Sequence, residues 1–193
     1  MKLFLAVFMF MSVSHAKVEK VVGRAVFAGG CFWCMESPFE KLPGVISVTS
    51  GYSGGKEVSP TYKQVASGST GHVEAVLIEF DPKKISLRKL VDVYWRQVDP
   101  TDKGGQFVDR GAQYRPVLYY YDSAQKKIMD ESLKALKAMK KYKKPITIEI
   151  SPYVSFYPAE DYHQDYYKKS TLKYKYYRYR SGRDQYLDKI WKK

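Results

Sequence analysis

A short apolar segment, Arg24 to Ala28, runs straight into Gly29-Gly30 and then into Cys31-Phe32-Trp33-Cys34. A run this short suits a buried strand better than a helix, and the paired glycines stop it. From Cys31 to Leu42 the apolar spacing turns helical, and Leu42-Pro43-Gly44 closes the segment. A strand that hands over to a helix across two glycines sets a dithiol at the helix N-terminus. The fold has to be built around that junction.

The rest of the chain alternates in the same way. Val45 to Thr49 predicts a second strand, followed by the Gly-rich stretch Gly51-Tyr52-Ser53-Gly54-Gly55. Pro60-Thr61-Tyr62 opens a short helix, and His72 to Phe80 alternates as a strand up to Asp81-Pro82. Ser86 is placed to cap a helix from Leu87 to about Val98, with Leu87, Leu90, Val91, Tyr94 and Trp95 on one face. A polar loop spans Asp99 to about Gln113, Pro116 to Tyr121 reads as a strand, and Ser123 caps a long helix to about Lys141. Ile146 to Ile150 predicts a further strand, with helical signals over Asp161–Lys169 and Arg183–Trp191. Strands alternating with helices give an α/β or α+β domain. With 193 residues, 45% of them hydrophobic, there is material for one core and little room for a second.

Residues 1–16 stand apart. Lys2 is their only Lys or Arg, Leu3 to Met11 is unbroken apolar sequence, and Ser14 and Ala16 supply small residues at a cleavage spacing. The apolar run is well short of the ~20 residues a spanning helix needs. The expectation is a signal peptide over 1–16 and a mature domain over 17–193. The product would be exported, to a periplasm or outside the cell, with no stable membrane insertion afterwards. The formal net charge is +13, with lysines spread along the chain rather than gathered in a patch. No nucleic-acid-binding motif accompanies them, so no nucleic-acid partner is expected. The run Tyr174-Lys175-Tyr176-Tyr177-Arg178-Tyr179-Arg180 keeps one rival open, a cationic protein that adheres to anionic surfaces.

Cys31 and Cys34 are the only two cysteines. A disulfide closing so small a loop does little for stability, so the pair reads as chemistry. The helix start favours a thiolate at Cys31. Cys34, one turn on, brings the Cα atoms to about 5–6 Å, within disulfide reach. A zinc site would need a second pair of ligands that the chain does not offer, so no metal is expected. Phe32 and Trp33 put aromatic faces beside the sulfurs, a good setting for a small apolar group that carries sulfur. On these residues alone, a general dithiol oxidoreductase or disulfide isomerase stays open.

The segment Gly29-Gly30-Cys31-Phe32-Trp33-Cys34-Met35-Glu36 closely resembles the signature of the peptide methionine sulfoxide reductase A family. The resemblance continues through Ser50-Gly51-Tyr52-Ser53-Gly54-Gly55, Pro60-Thr61-Tyr62, Thr70-Gly71-His72-Val73-Glu74-Ala75, Gln106-Phe107-Val108-Asp109-Arg110-Gly111, Gln113-Tyr114-Arg115 and Ala159-Glu160-Asp161-Tyr162-His163-Gln164. It implies a single-domain two-layer α/β sandwich around a mixed sheet, with the nucleophile Cys31 at a helix N-terminus. It also implies that Glu74 is the acid, that Tyr62 and Tyr114 hold the sulfoxide oxygen, and that Asp109 organises the pocket. Phe32 and Trp33 would cradle the substrate's methyl group, and Cys34 would resolve the Cys31 sulfenic acid as a disulfide. The implied substrate is methionine S-sulfoxide, free or in oxidised proteins. No cofactor would be bound, and electrons would come from a thioredoxin-type reductant, or dithiothreitol in vitro, to a monomeric enzyme. Two positions depart from many relatives: there are no cysteines near the C-terminus, and Val98 stands where many have His before Asp-Pro.

Overall fold

The computed structural model describes residues 21–192. The expected signal segment, 1–16, lies outside them. In chain order the elements are β1 (Gly23–Ala28), α1 (Phe32–Glu40), β2 (Val45–Ser53), α2 (Tyr62–Ala66), β3 (Val73–Phe80), α3 (Leu87–Tyr94), β4 (Gly105–Gln106), β5 (Asp109–Arg110), β6 (Val117–Tyr120), α4 (Ser123–Ala138), β7 (Glu149–Pro152), β8 (Phe156–Pro158), α5 (Tyr166–Lys169), α6 (Thr171–Arg180) and α7 (Arg183–Trp191). Six strands form one mixed sheet in the order β7-β6-β1-β3-β2-β8, and β4 and β5 make a separate small hairpin. Only the β6–β7 pairing is parallel within the large sheet. Among the described residues no helix is long and apolar enough to cross a membrane.

One face of the sheet carries Ala25, Phe27, Val48, Tyr52, Val76, Ile78, Phe80 and Leu118. These pack with Phe32, Met35 and Phe39 of α1, with Leu87, Leu90, Val91 and Tyr94 of α3, and with Met129 and Leu136 of α4. This is the two-layer sandwich around a mixed sheet that the family resemblance implies. The opposite face has a smaller cluster, including Val26, Ala28, Val73, Ala75, Val117 and Tyr119. Alternation along β3 puts Glu74 on the same side as Val76, Ile78 and Phe80, the helix-covered side, where a carboxylate has no water. The register of β1 with β3 pairs Ala28 with Ala75, and that of β2 with β3 pairs Tyr52 with Glu74. Glu74 is thereby delivered beside the turn that follows β1.

Several boundaries differ from the sequence reading. β2 runs on through Gly51, Tyr52 and Ser53, read as loop, because β3 pairs on one side and the unforeseen strand β8 on the other. β7 lies at Glu149–Pro152, displaced from the expected Ile146–Ile150. α4 is capped by Asp122, whose carboxylate accepts from the Gln125 N–H at 2.8 Å, while Ser123 is the first helical residue. Ser86 does cap α3, accepting from the Lys89 N–H at 3.2 Å. Only Tyr166–Lys169 of the expected 161–169 segment is helical, and α6 was not anticipated at all.

Candidate active site

Gly30 has φ of +80°, and a Cβ there would meet Gln106 Cβ at 2.6 Å and the Arg183 guanidinium at 2.9 Å. Only glycine turns the chain from β1 into α1 at this point. Cys31 is the N-cap of α1, with Cys34 on the first turn and the Cys34 N–H donating to the Cys31 carbonyl at 3.0 Å. Cys31 is 7% exposed and Cys34 fully buried, and both are free thiols.

The electrostatics depart from the expectation that a helix start makes Cys31 a thiolate. Burial pushes the Cys31 thiol well above its ordinary value, and the hydrogen bond to Cys34 and the Glu74 and Asp109 carboxylates add to the effect. Cys34 is drawn down to about 7, chiefly by the hydrogen bond it accepts from Cys31; the Arg183 and Arg178 guanidiniums assist against its burial. Desolvation and two nearby acids outweigh the helix dipole.

Glu74 is 2% exposed and accepts from the Phe32 N–H at 3.0 Å. Burial pushes its carboxyl up to about 8, against that hydrogen bond, so it holds a proton at neutral pH. Burial likewise pushes Tyr62 up to about 12 and Tyr114 higher, with Glu74 next in effect for both. Both phenols therefore stay donors across the working range. Tyr62 opens α2, which Thr61 and Gln64 cap reciprocally, and its N–H donates to Glu160 at 2.9 Å. Tyr114 closes a 3-10 turn over Ala112–Tyr114.

These side chains meet in one cavity of about 130 Å³, lined by Cys31, Phe32, Trp33, Tyr62, Glu74, Asp109, Tyr114 and Tyr177. Every sequence-predicted site residue but Cys34 is on that wall, and Cys34 lies directly behind Cys31. A larger cleft of about 290 Å³ between α3, α4 and Trp191 is lined by neither cysteine, so chemistry rather than size marks the site. Trp33 is locked in place, stacked on Tyr166 with ring centroids 3.7 Å apart and donating from Nε1 to His163 Nδ1 at 3.1 Å. His163 in turn packs on Phe32 and Tyr62, at 4.9 and 4.4 Å. A proton-bearing carboxyl, two phenols, a thiol with a second thiol behind it and an aromatic wall form a set suited to taking oxygen from a small sulfur group.

The family model described as peptide methionine sulfoxide reductase matches residues 23–193. The chain belongs to the peptide methionine sulfoxide reductase A family. It is 55% identical to peptide methionine sulfoxide reductase MsrA of Listeria monocytogenes, over 88% of this chain and 96% of that one. Among solved structures it is similar to reduced Mxr1 from Saccharomyces cerevisiae, with TM-score 0.72 and 32% identity over 78% of this chain and 86% of that one. Methionine sulfoxide reductase A of Corynebacterium diphtheriae matches with TM-score 0.70 and 31% identity, over 78% and 76% of the two chains. The chain is thus a thiol-dependent methionine sulfoxide reductase.

The sequence reading missed the residues by which this reductase's C-terminal helices hold the site. On α6, Tyr177 donates from its hydroxyl to Asp109 Oδ1 at 2.5 Å, and Arg178 donates to the Cys34 carbonyl at 3.0 Å. Arg183 on α7 is fully buried, donates to the Gly29 carbonyl at 3.0 Å and to the Gln97 carbonyl, and lies over the Phe107 ring at 4.7 Å. It thus ties the glycine turn before Cys31 to the hairpin that carries Asp109. The basic stretch over 174–192 is therefore not a free arm, because Arg178 and Arg183 point inward. Its signal was available: Tyr174, Tyr177, Arg178 and Ser181 recur at i, i+3, i+4 and i+7. Arg183→Met leaves two buried carbonyls unpaired, at about 1–3 kcal/mol each. Urea unfolding is expected to show a loss of about 2–6 kcal/mol for the two together, and an unchanged midpoint would contradict the clamp.

Proposed function

We propose that the reductase converts methionine S-sulfoxide, free or within oxidised proteins, to methionine through a Cys31 sulfenic acid and a Cys31–Cys34 disulfide. The observation that carries this is the meeting of Cys31, protonated Glu74, Tyr62 and Tyr114 on one small cavity with Cys34 behind the nucleophile. Tyr62 and Tyr114 hold the sulfoxide oxygen, and Phe32 and Trp33 receive the methyl group. Cys31 sulfur attacks the substrate sulfur while Glu74 protonates the oxygen. The oxygen passes to Cys31, and methionine departs with its sulfur reduced. Asp109, held by Tyr177, keeps the pocket's hydrogen bonding in place. Cys34 then attacks the sulfenic sulfur, water leaves, and the disulfide forms without remodelling α1.

Electrons return from a thioredoxin-type dithiol. Yeast Mxr1, a relative at 24% identity and TM-score 0.53 in this form, has been solved in complex with Trx2. The family resemblance supports a monomer; residues 1–16 support a reading in which the enzyme works after export, in repair of oxidised exported proteins. There the reductant is a membrane-linked or extracytoplasmic dithiol relay.

The test is turnover of separate S- and R-epimer sulfoxide peptides with dithiothreitol. Wild type is expected to consume the S-epimer alone, and Cys31→Ser neither. Equal use of both epimers, or residual turnover in Cys31→Ser, would sink the assignment.

A further inference from the structure

The two cysteines differ in one respect that bears on the return of electrons. Cys31 borders the cavity at 7% exposure. Cys34 has no exposed surface and lines no part of that cavity. Behind it, α1 presents Met35 and Phe39, both fully buried, to the core. On its remaining side lies α6, with Arg178 bonded to the Cys34 carbonyl and to the side chains of Gln97 and Asp184, and with Tyr174 buried beneath. An incoming thiol meets one sulfur on the wall of the cavity and finds the other enclosed by packed side chains.

We infer that the reductant's thiolate attacks Cys31, through the mouth that admits the sulfoxide, and that Cys34 is the sulfur expelled. This rests on the Cys31–Cys34 disulfide proposed above. The attacking sulfur forms a bond to Cys31 Sγ, the Cys31–Cys34 bond breaks, and its electron pair leaves on Cys34 as a thiolate. Thiol exchange is fastest toward the accessible sulfur and with the more acidic thiol leaving. Both preferences choose the same direction here, since the Arg183 and Arg178 guanidiniums favour a thiolate leaving on Cys34, while the Glu74 and Asp109 carboxylates disfavour one on Cys31. The second thiol of the reductant then attacks its own half of the mixed disulfide and releases Cys31. The reductant is left as a disulfide and the enzyme as a dithiol, so two electrons are accounted for. One consequence is that sulfoxide and reductant share a single entrance and cannot be bound together.

The experiment takes wild-type protein through one sulfoxide turnover without reductant and verifies the disulfide by intact mass. It then adds excess thioredoxin whose second active-site cysteine is serine. After acid quench and alkylation, the peptide holding both cysteines is fragmented. The probe is expected on Cys31 and the alkyl label on Cys34; the reverse arrangement overturns the inference. Cys34→Ser, oxidised to the Cys31 sulfenic acid, is expected to be captured by the same probe, and refusal of the probe also overturns it. If the turnover yields no disulfide, the underlying reading fails, and this is seen before any probe is added.

Discussion

Glu74→Gln is expected to slow the first turnover by about 10²–10⁴-fold, the usual contribution of a positioned general acid. Gln keeps the shape and still accepts from the Phe32 N–H, but has no proton to give. The pH profile separates this from general damage. Chemistry needs Cys31 ionised and Glu74 protonated, and burial raises both groups. The wild-type single-turnover rate rises with pH as Cys31 ionises, then levels near 8 as Glu74 loses its proton. In Glu74→Gln the levelling disappears and a slower rate continues to rise. Stability moves the other way. A carboxyl whose folded value lies above its unfolded value of about 4.3 leaves the fold unpenalised at low pH and weakens it as pH climbs toward the folded value. Glu74→Gln therefore gains stability over wild type between about 4 and 8. A variant that is slower and also less stable at neutral pH would contradict the role given to Glu74.

Replacing both Tyr62 and Tyr114 by Phe is expected to cost about 10²–10³-fold in the chemical step, as loss of preorganised donors to a developing negative oxygen does elsewhere. The effect falls on kcat with little change in KM, because the hydrogen bonds strengthen as charge gathers on oxygen. Both phenols stay protonated well above neutral pH, so the loss is uniform from pH 6 to 9, unlike that of Glu74→Gln. Stopped-flow kinetics on the double variant decides it. A loss confined to KM would make the tyrosines binding residues only.

The β1–glycine–α1 junction was legible because its determinants are local: a short apolar run, two glycines and a helical repeat carrying both cysteines. The acid was not legible from strand pattern alone. Nothing in Val73-Glu74-Ala75-Val76 shows which face α1 will cover, and that choice turns an exposed carboxylate into a buried acid. Family motifs supplied Glu74, Tyr62, Tyr114 and Asp109, and the fold gathers all four on one cavity. Gly51-Tyr52-Ser53 looked like loop because glycine is a poor strand former. Two partner strands hold it extended, and a Cβ on Gly51 would strike the Phe156 ring and the Tyr157 carbonyl. Burial, which no local pattern shows, is what chiefly pushes the Cys31 thiol up; the neighbouring Cys34 and then the Glu74 and Asp109 carboxylates, which arrive from distant segments, add to it. Tyr177, Arg178 and Arg183 were hidden by composition: in a run of basic and aromatic residues, helical spacing was present but charge drew the eye to the surface.

The most direct test is a burst without reductant, on wild type and Cys34→Ser, with methionine counted and the protein weighed. Each protein is expected to release one methionine per chain. Wild type should finish as the Cys31–Cys34 disulfide, and Cys34→Ser as a sulfenic acid trapped on Cys31 by a dione reagent. A wild-type burst that leaves Cys34 free to alkylate, or a Cys34→Ser protein with no burst at all, would contradict the division of labour between the two thiols.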